Sequence, residues 1–442
     1  MLNKNLSLIF TILSFSFLLY ACSSPRPGIF GKRTPHEQYE KKIEDAGLKE
    51  TALGEAWLKA AAITLSNPLD ISLPYSETGY FAGDKASAVG LRFRAKRGEK
   101  IRISLTKKPV ENFAMYVDLW QPATSADKPK LLTAADTVNL SLEYTITEDS
   151  IFIVRIQPEL LKEGEYRLTI LTEPSLAFPI SPKVKSNIGS FWGVGRDNGA
   201  RKHEGIDIFA PFRSPAVAVA DGIVTRVNEN TLGGKVVFMR PDNSWINLYY
   251  AHLDSQTVQE GQRVKTGDTL GLTGNTGNAR FTASHLHFGI YTNNGPIDPL
   301  YFVKPATKEP AKLSVSLNNL NTWMRTGKKT RLYADQNAGA SNFLTLEENT
   351  LLRPEAGTGS YYRVILPDGK KGFVSGFMIN SIIKPLKKLT IKKNQPLYST
   401  PDTAGLQKRL LTAEEKINVL ASFNDFYFVS EKDNVEGWLP QP

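Results

Sequence analysis

The sequence predicts a mainly β, multidomain protein: a two-helix N-terminal segment, a β-sandwich, a compact antiparallel β domain and two small tandem β-barrels. Three observations lead there. A chain of 442 residues exceeds what one hydrophobic core usually serves. Apolar and polar residues alternate with period two through most of the chain after Leu69. The last third contains an internal repeat. Composition is ordinary for a globular protein, 41% hydrophobic and 22% charged, with no low-complexity tract. The net charge is +10, and Lys304 to the end, with 20 Lys/Arg against 13 Asp/Glu, carries +7 of it. That asymmetry suits a polyanionic polymer or a membrane surface, and equally a well-solvated basic face; no nucleic-acid partner is expected.

The first element is an export signal. Lys4 supplies the positive start, and Leu6 to Leu19 is uncharged but shorter than the ~20 apolar residues of a comfortable span. Leu19-Tyr20-Ala21-Cys22 then resembles a bacterial lipobox, although Tyr20 stands where a small residue is more usual. The resemblance implies a signal peptide over 1–21, lipidation of Cys22, and a tether over 22–34. Cys22 is the only cysteine, so disulfides play no part; an uncleaved signal anchor is the competing reading. Either way the body is expected outside the cytoplasm.

Thr34-Pro35-His36-Glu37 has the form of a capping box with Pro at the first helical position. It predicts a helix to about Ala46, and a second helix follows from Thr51 to Ala62, within a helical segment 35–68. From 69 to 175 the alternation in segments such as Leu91-Arg92-Phe93-Arg94 and Ile151-Phe152-Ile153-Val154 predicts half-buried antiparallel strands, hence a β-sandwich without a catalytic cluster.

The next domain, 184–303, holds four of the five histidines. His203 and Asp207 are four residues apart; His252 lies in Tyr250-Ala251-His252-Leu253; His285 and His287 flank Leu286. On a strand from Ser284 to Tyr291, His285 and His287 share one face while Leu286, Phe288 and Ile290 share the buried one. Residues two apart on a flat strand stand about 7 Å from each other, so one of the pair can bind a metal while the other faces a substrate. Fully extended, His203 and Asp207 would be about 13 Å apart, so the chain must bend between them, and Gly205 is expected to permit the bend. Two imidazoles and a carboxylate suit Zn²⁺, with a fourth position left for water or a carbonyl.

His203-x-x-x-Asp207, Tyr250-Ala251-His252-Leu253 and His285-x-His287 together resemble the LytM/lysostaphin-type zinc metallopeptidases. The match runs from about Ser186 to Phe302 and includes Gly261-Gln262-Arg263-Val264. The resemblance implies His203, Asp207 and His287 as metal ligands, His252 and His285 as the catalytic pair, zinc as cofactor, and peptides of bacterial peptidoglycan as substrate. Lys235 and Ser284 depart from the usual Asn and Pro, outside those five positions. The Gly261 to Leu270 run is also similar to biotinyl and lipoyl carrier domains, which have no use for four histidines. Alternatives from other classes are a catalytically silent regulator of wall amidases and a passive wall-binding lipoprotein. The complete ligand set argues against the first, and the second leaves the histidines unexplained. Attachment through the lipid to the periplasmic side of an outer membrane is the expected location; the bond cleaved, the host wall and the oligomeric state are not encoded legibly.

In the tail, Tyr333, Tyr362, Val364, Asp368, Gly372 and Phe373 recur sixty-five residues later as Tyr398, Tyr427, Val429, Asp433, Gly437 and Trp438. The two units, 316–385 and 386–442, resemble bacterial SH3-like modules, which implies wall recognition through their loops. Their expected role is to concentrate the enzyme on the wall, leaving chemistry to residues before about Pro305.

Overall fold

A computed structural model describes residues 33–441 except 112, 124–126, 197–198, 306–307, 336–341 and 432–434. The expected signal peptide, Cys22 and most of the expected tether lie outside these residues. The protein is mainly β. Among the described residues no helix is long and apolar enough to cross a membrane.

The first helix, Pro35–Asp45, starts where the capping box places it: the Thr34 side chain accepts from the Glu37 amide, and the Glu37 carboxylate accepts from the Thr34 amide at 2.8 Å. The second, Ala52–Ser66, runs a turn beyond the expected end at Ala62 because its last turn still packs on the sandwich, where Thr64 is buried. Trp57 anchors it, its indole N–H donating to the Pro158 carbonyl at 2.9 Å.

The sandwich has one five-stranded sheet, containing Val89–Ala95, Ser150–Pro158 and Met115–Gln121. The facing sheet contains Tyr75–Phe81, Gly164–Pro174 and Glu99–Lys108. Inward residues of both, among them Leu91, Phe93, Ile101, Ile103, Val154 and Leu168, form one core. The second sheet does not stop at the boundary read from the sequence pattern. Tyr75–Phe81 pairs antiparallel with Leu351–Thr358 of the first tail unit (Thr78 with Gly357, Gly79 with Ala356), and Phe373 of that unit enters the sandwich core. An ion cluster seals the joint: the buried Glu77 carboxylate accepts from the Tyr75 and Tyr166 hydroxyls, both at 2.6 Å, and from Arg363 Nε at 3.0 Å. Arg363 Nη1 also donates to Glu355 at 2.7 Å. The tail is thus built into the sandwich: a cut near Pro305 would strip the neighbouring strand from Tyr75–Phe81, Phe373 from the core and Arg363 from Glu77.

The sixty-five-residue repeat is a structural repeat. Tyr333 pairs with Phe373 as Tyr398 pairs with Trp438, Val364 with Gly372 as Val429 with Gly437, and both units carry a bulge at the same offset, Pro354/Ala356 and Val419/Ala421. The second unit forms its own six-stranded sheet and core and shares Leu420, Phe428 and Trp438 with the core of the first.

Between sandwich and tail lies a ten-stranded, antiparallel sheet domain. Its central order is Asn187–Ser190, Ile206–Phe209, His285–Thr292, Asn247–Gln256, Gly234–Pro241 and Gly222–Asn230. One face carries the core, with Ile206, Ile208, Leu248, Tyr250, Leu286, Phe288 and Ile290 buried. The other face carries the histidines.

Candidate active site

Strand register brings the first three site residues together. Asp207 lies directly opposite His287 across the antiparallel pair, so their side chains share the groove face. His203 precedes that strand and folds back over it. Its Nε2 is 3.0 Å from His287 Nδ1 and 3.0 Å from Asp207 Oδ1, and His287 Nδ1 is 2.9 Å from the same oxygen. The bend between His203 and Asp207 does not use the freedom expected of Gly205, whose φ is not among the positive values. A glycine is required there for space: a Cβ would stand 2.6 Å from the Phe288 carbonyl oxygen and 2.7 Å from the His287 ring.

His252 reaches the same face by a different device. Tyr250 pairs with Phe288 and Ala251 with His287, so strict alternation would turn residue 252 into the core and Leu253 into the groove. A bulge against Lys235/Val237 inserts one extra residue here, and His252 takes φ +62°. His252 is thereby kept in the groove and Leu253 returns to the core. A left-handed backbone at a non-glycine residue is strained, and such strain gathers at functional sites. His285, two residues before His287 on its strand, faces His252 with ring centroids 5.0 Å apart.

Backbone carbonyls fix the tautomers. His203 Nδ1 lies 2.9 Å from the Phe191 oxygen, His252 Nδ1 2.9 Å from the Thr276 oxygen, and His285 Nδ1 2.8 Å from the Ala283 oxygen. A carbonyl only accepts, so each Nδ1 carries a proton and each ring is oriented with Nε2 at its far end. Burial, with the neighbouring His287 and His285, lowers the His252 pKa to about 4, so this ring is neutral at pH 7. Burial likewise lowers His287. Burial alone would raise Asp207, but hydrogen bonds to His203 and His287 outweigh it and hold the carboxylate ionised far below the usual range.

His203, Asp207 and His287 are the one group of metal-compatible side chains among the described residues. Their chemistry fits a cation. His203 Nε2, His287 Nδ1 and an Asp207 carboxylate oxygen converge within 3.0 Å of one another, a set of donor atoms that a single shared cation would hold together. A tetrahedral zinc with bonds of about 2.0–2.1 Å would need its ligand atoms a few tenths of an ångström further apart.

Sequence reading missed Arg196. Its guanidinium donates to the other Asp207 oxygen at 2.5 Å and to Ser190 Oγ at 2.9 Å, leaving Oδ1 to the cluster. No local pattern distinguishes it from the protein's other arginines. The carbonyls of Phe191, Thr276 and Ala283 were equally invisible, because any residue type supplies one. The groove itself, about 590 Å³, has walls that include Phe209, Leu232, Phe238, Tyr249 and Tyr291, with Lys202 and Glu204 at one side. It is open enough for an extended peptide.

The profile of Peptidase family M23 matches residues 201–299. Among curated relatives, the peptidoglycan DD-endopeptidase ShyC of Vibrio cholerae is 39% identical over 93 residues, 21% of this chain and 21% of the relative. The glycyl-glycine endopeptidase ALE-1 of Staphylococcus capitis is 33% identical over 141 residues, 31% of this chain and 38% of the relative. The match thus spans well under half the length of these relatives. A solved structure of LytU is 38% identical over 26% of this chain and 82% of that one, with a TM-score of 0.24. Residues 201–299 are therefore a domain of peptidase family M23 within a longer chain.

Proposed function

We propose that the protein is a zinc-dependent endopeptidase that hydrolyses stem or cross-link peptides of bacterial peptidoglycan. The observation that carries this reading is the division of the groove face. Three side chains offer metal-ligand atoms within 3.0 Å of one another, and two further imidazoles stand beside them, each fixed through Nδ1 by a backbone carbonyl. The named activities of the relatives support the substrate class but differ in the bond, so the bond is left open.

His203, Asp207 and His287 would hold the ion, and Arg196 would keep the carboxylate turned so that one oxygen binds. When bound, zinc supplies a polarised carbonyl and a water acidic enough to attack near neutral pH. The protein's own groups do the rest. His252, neutral and fixed through Thr276, takes the proton of the attacking water on Nε2 and returns it to the departing amine. His285, fixed through Ala283, presents its ring to the oxyanion of the tetrahedral carbon. The aromatic walls hold the peptide extended across the sheet face. A silent regulator would not need this pair beside an intact ligand set.

Lipid anchoring at Cys22 belongs to the same proposal and rests on the sequence alone. Cys22→Ser should abolish labelling by a fatty-acid probe; undiminished labelling would place the anchor elsewhere. The activity is tested by digesting purified cross-linked peptidoglycan and identifying the fragments by mass. Expected products are cleaved peptides with intact glycan. No cleavage by zinc-loaded, folded protein on any wall chemistry would refute it.

A further inference from the structure

A second cleft, of about 470 Å³, lies where the helix Ala52–Ser66, the sandwich strand Val89–Ala95 and the first tail unit meet. It does not exist in any one of them. Its walls are apolar, including Ile63, Val89, Leu332, Phe343 and Leu344, and Ile63, Phe343 and Leu344 remain 39–47% exposed. Its floor is charged and unbalanced. Lys85, Arg363, Lys370 and Lys371 line it, Arg353 joins them in the adjoining recess, and Glu355 is the one carboxylate among these lining residues.

Most of these charges already have partners. Arg363 is held by Glu77 and Glu355, Lys371 by Glu355 at 3.0 Å, and Lys370 by Asp368 at 2.9 Å. Glu355 is thoroughly neutralised: burial pushes its carboxyl up, but Lys371, Arg363 and Lys85 pull it down to about 2. Lys85 is different. It is half-buried and makes no hydrogen bond or ion pair with a described residue. Burial, then repulsion from Arg353 and Lys371, lowers its pKa despite the attraction of Glu355, a carboxylate whose hydrogen bonds go to Lys371 and Arg363. A half-buried cation among cations, at the base of an apolar cleft, is stabilised by whatever brings a carboxylate to it.

We propose that this cleft is a second, non-catalytic peptide site that takes a carboxylate-bearing stem peptide of the wall. The carboxylate sits on Lys85 beside Lys371, and the peptide's aliphatic parts lie against Ile63, Leu332 and Phe343. The choice of a wall peptide rests on the proposed function; the requirement for an anion rests on the cleft alone. The volume suits a short peptide and is far too small for a folded partner. Among the described residues the strand Phe343–Leu346 is the last of its sheet, the kind of edge to which an extended chain can add. Occupying this site while the groove engages a neighbouring peptide makes the second encounter intramolecular, favouring dense cross-linked wall over isolated fragments.

Isothermal titration of the full chain, carrying His285→Ala to prevent turnover, with the tripeptide Ala-γGlu-diaminopimelate tests it. Its fully amidated form and triglycine are the controls. The anionic tripeptide should bind, and both neutral peptides should bind about tenfold or more weakly. Lys85→Gln should lose about the same factor while Lys85→Arg retains most of the binding. In the otherwise native enzyme, Lys85→Gln should leave cleavage of a small soluble muropeptide within about twofold and slow digestion of intact sacculi, since only a multivalent substrate benefits from the second site. Equal binding by Lys85→Gln, or equal binding of triglycine, would overturn the proposal. Lys85-dependent binding in a chain that cleaves nothing would keep the cleft and refute the peptidase reading, whereas cleavage without such binding would do the reverse.

Discussion

Two buried polar clusters in this protein are built from similar materials and do opposite things. At the joint between sandwich and tail, Glu77, Arg363, Tyr75, Tyr166 and Glu355 bond among themselves; Glu77 alone accepts from two hydroxyls and a guanidinium. On the peptidase-domain sheet, His203, His252 and His285 are fixed through Nδ1 by backbone carbonyls and Asp207 by Arg196, while His287 meets Asp207 and His203 in a cluster that lines a groove. The first cluster closes on itself and locks two units together. The second is held rigid from behind and open in front. Burial and charge do not distinguish a functional cluster from a structural one; metal-ligand atoms converging on accessible space do. The fifth histidine belongs to the closed kind: His36 is buried, stacked on Trp57 at 4.7 Å, with Nε2 bonded to Gln157 at 2.8 Å.

The strongest way to break this contrast is to remove members of the open cluster. His287→Ala and Asp207→Ala should lose the metal and with it essentially all activity. His252→Ala should keep the metal and lose activity by about 10²–10⁴-fold. Elemental analysis beside a cleavage assay separates the two outcomes. Equal metal loss in all three would collapse the division between ligands and catalytic pair. None should cost much stability, because the groups are already incompletely satisfied.

Removing a member of the closed cluster should do the reverse. Arg363→Met leaves Glu77 buried and unpaired, at a cost of about 3–5 kcal/mol, and denaturant unfolding should show it. Folded Arg363→Met protein should still cleave a soluble muropeptide at a near-native rate. The double variant Glu77→Leu/Arg363→Met should recover most of the loss. No recovery would show that Arg363 holds the joint by something besides that charge.

His36 offers a smaller effect of the closed kind. Burial, then Arg155, lowers its pKa to about 4, below an unfolded value near 6.5. Between these values the unfolded chain binds the extra proton. The contribution of His36 is therefore full above pH 6.5 and is lost as pH falls toward 4, by about 3 kcal/mol at most. His36→Gln should flatten that part of the stability–pH curve. An unchanged slope would mean that another group dominates the window.

Gly205→Ala should give a modest effect on folding and a more telling one on the site. Its Cβ meets the His287 ring and the Phe288 carbonyl, so metal affinity should fall while unfolding shifts by about 1–3 kcal/mol. Metal titration of the variant at native affinity would mean the ring has room to move.

Much of this was legible in the chain itself. Period-two alternation marks strands because side chains alternate across a sheet, and the Thr34-Pro35-His36-Glu37 cap marks a helix start because its bonds are local. The tail repeat shows for the same reason: equal spacing yields equal registers, as in Tyr333–Phe373 and Tyr398–Trp438. The five site residues could be nominated because histidine is rare here and their spacing is family-like. What the sequence could not settle is whatever depends on which segments become neighbours. Asp207 meets His287 through register between strands eighty residues apart. His252 faces the groove only because a bulge defeats the alternation that otherwise makes strands readable. Arg196 and three backbone carbonyls enter the site without a distinguishing pattern, since hydrogen bonding depends on position and not on residue identity. The joint between Glu77 and Arg363, 286 residues apart, and the cleft above it follow the same logic. Local rules determined the elements, and long-range pairing decided which charges were closed off and which were left open to act.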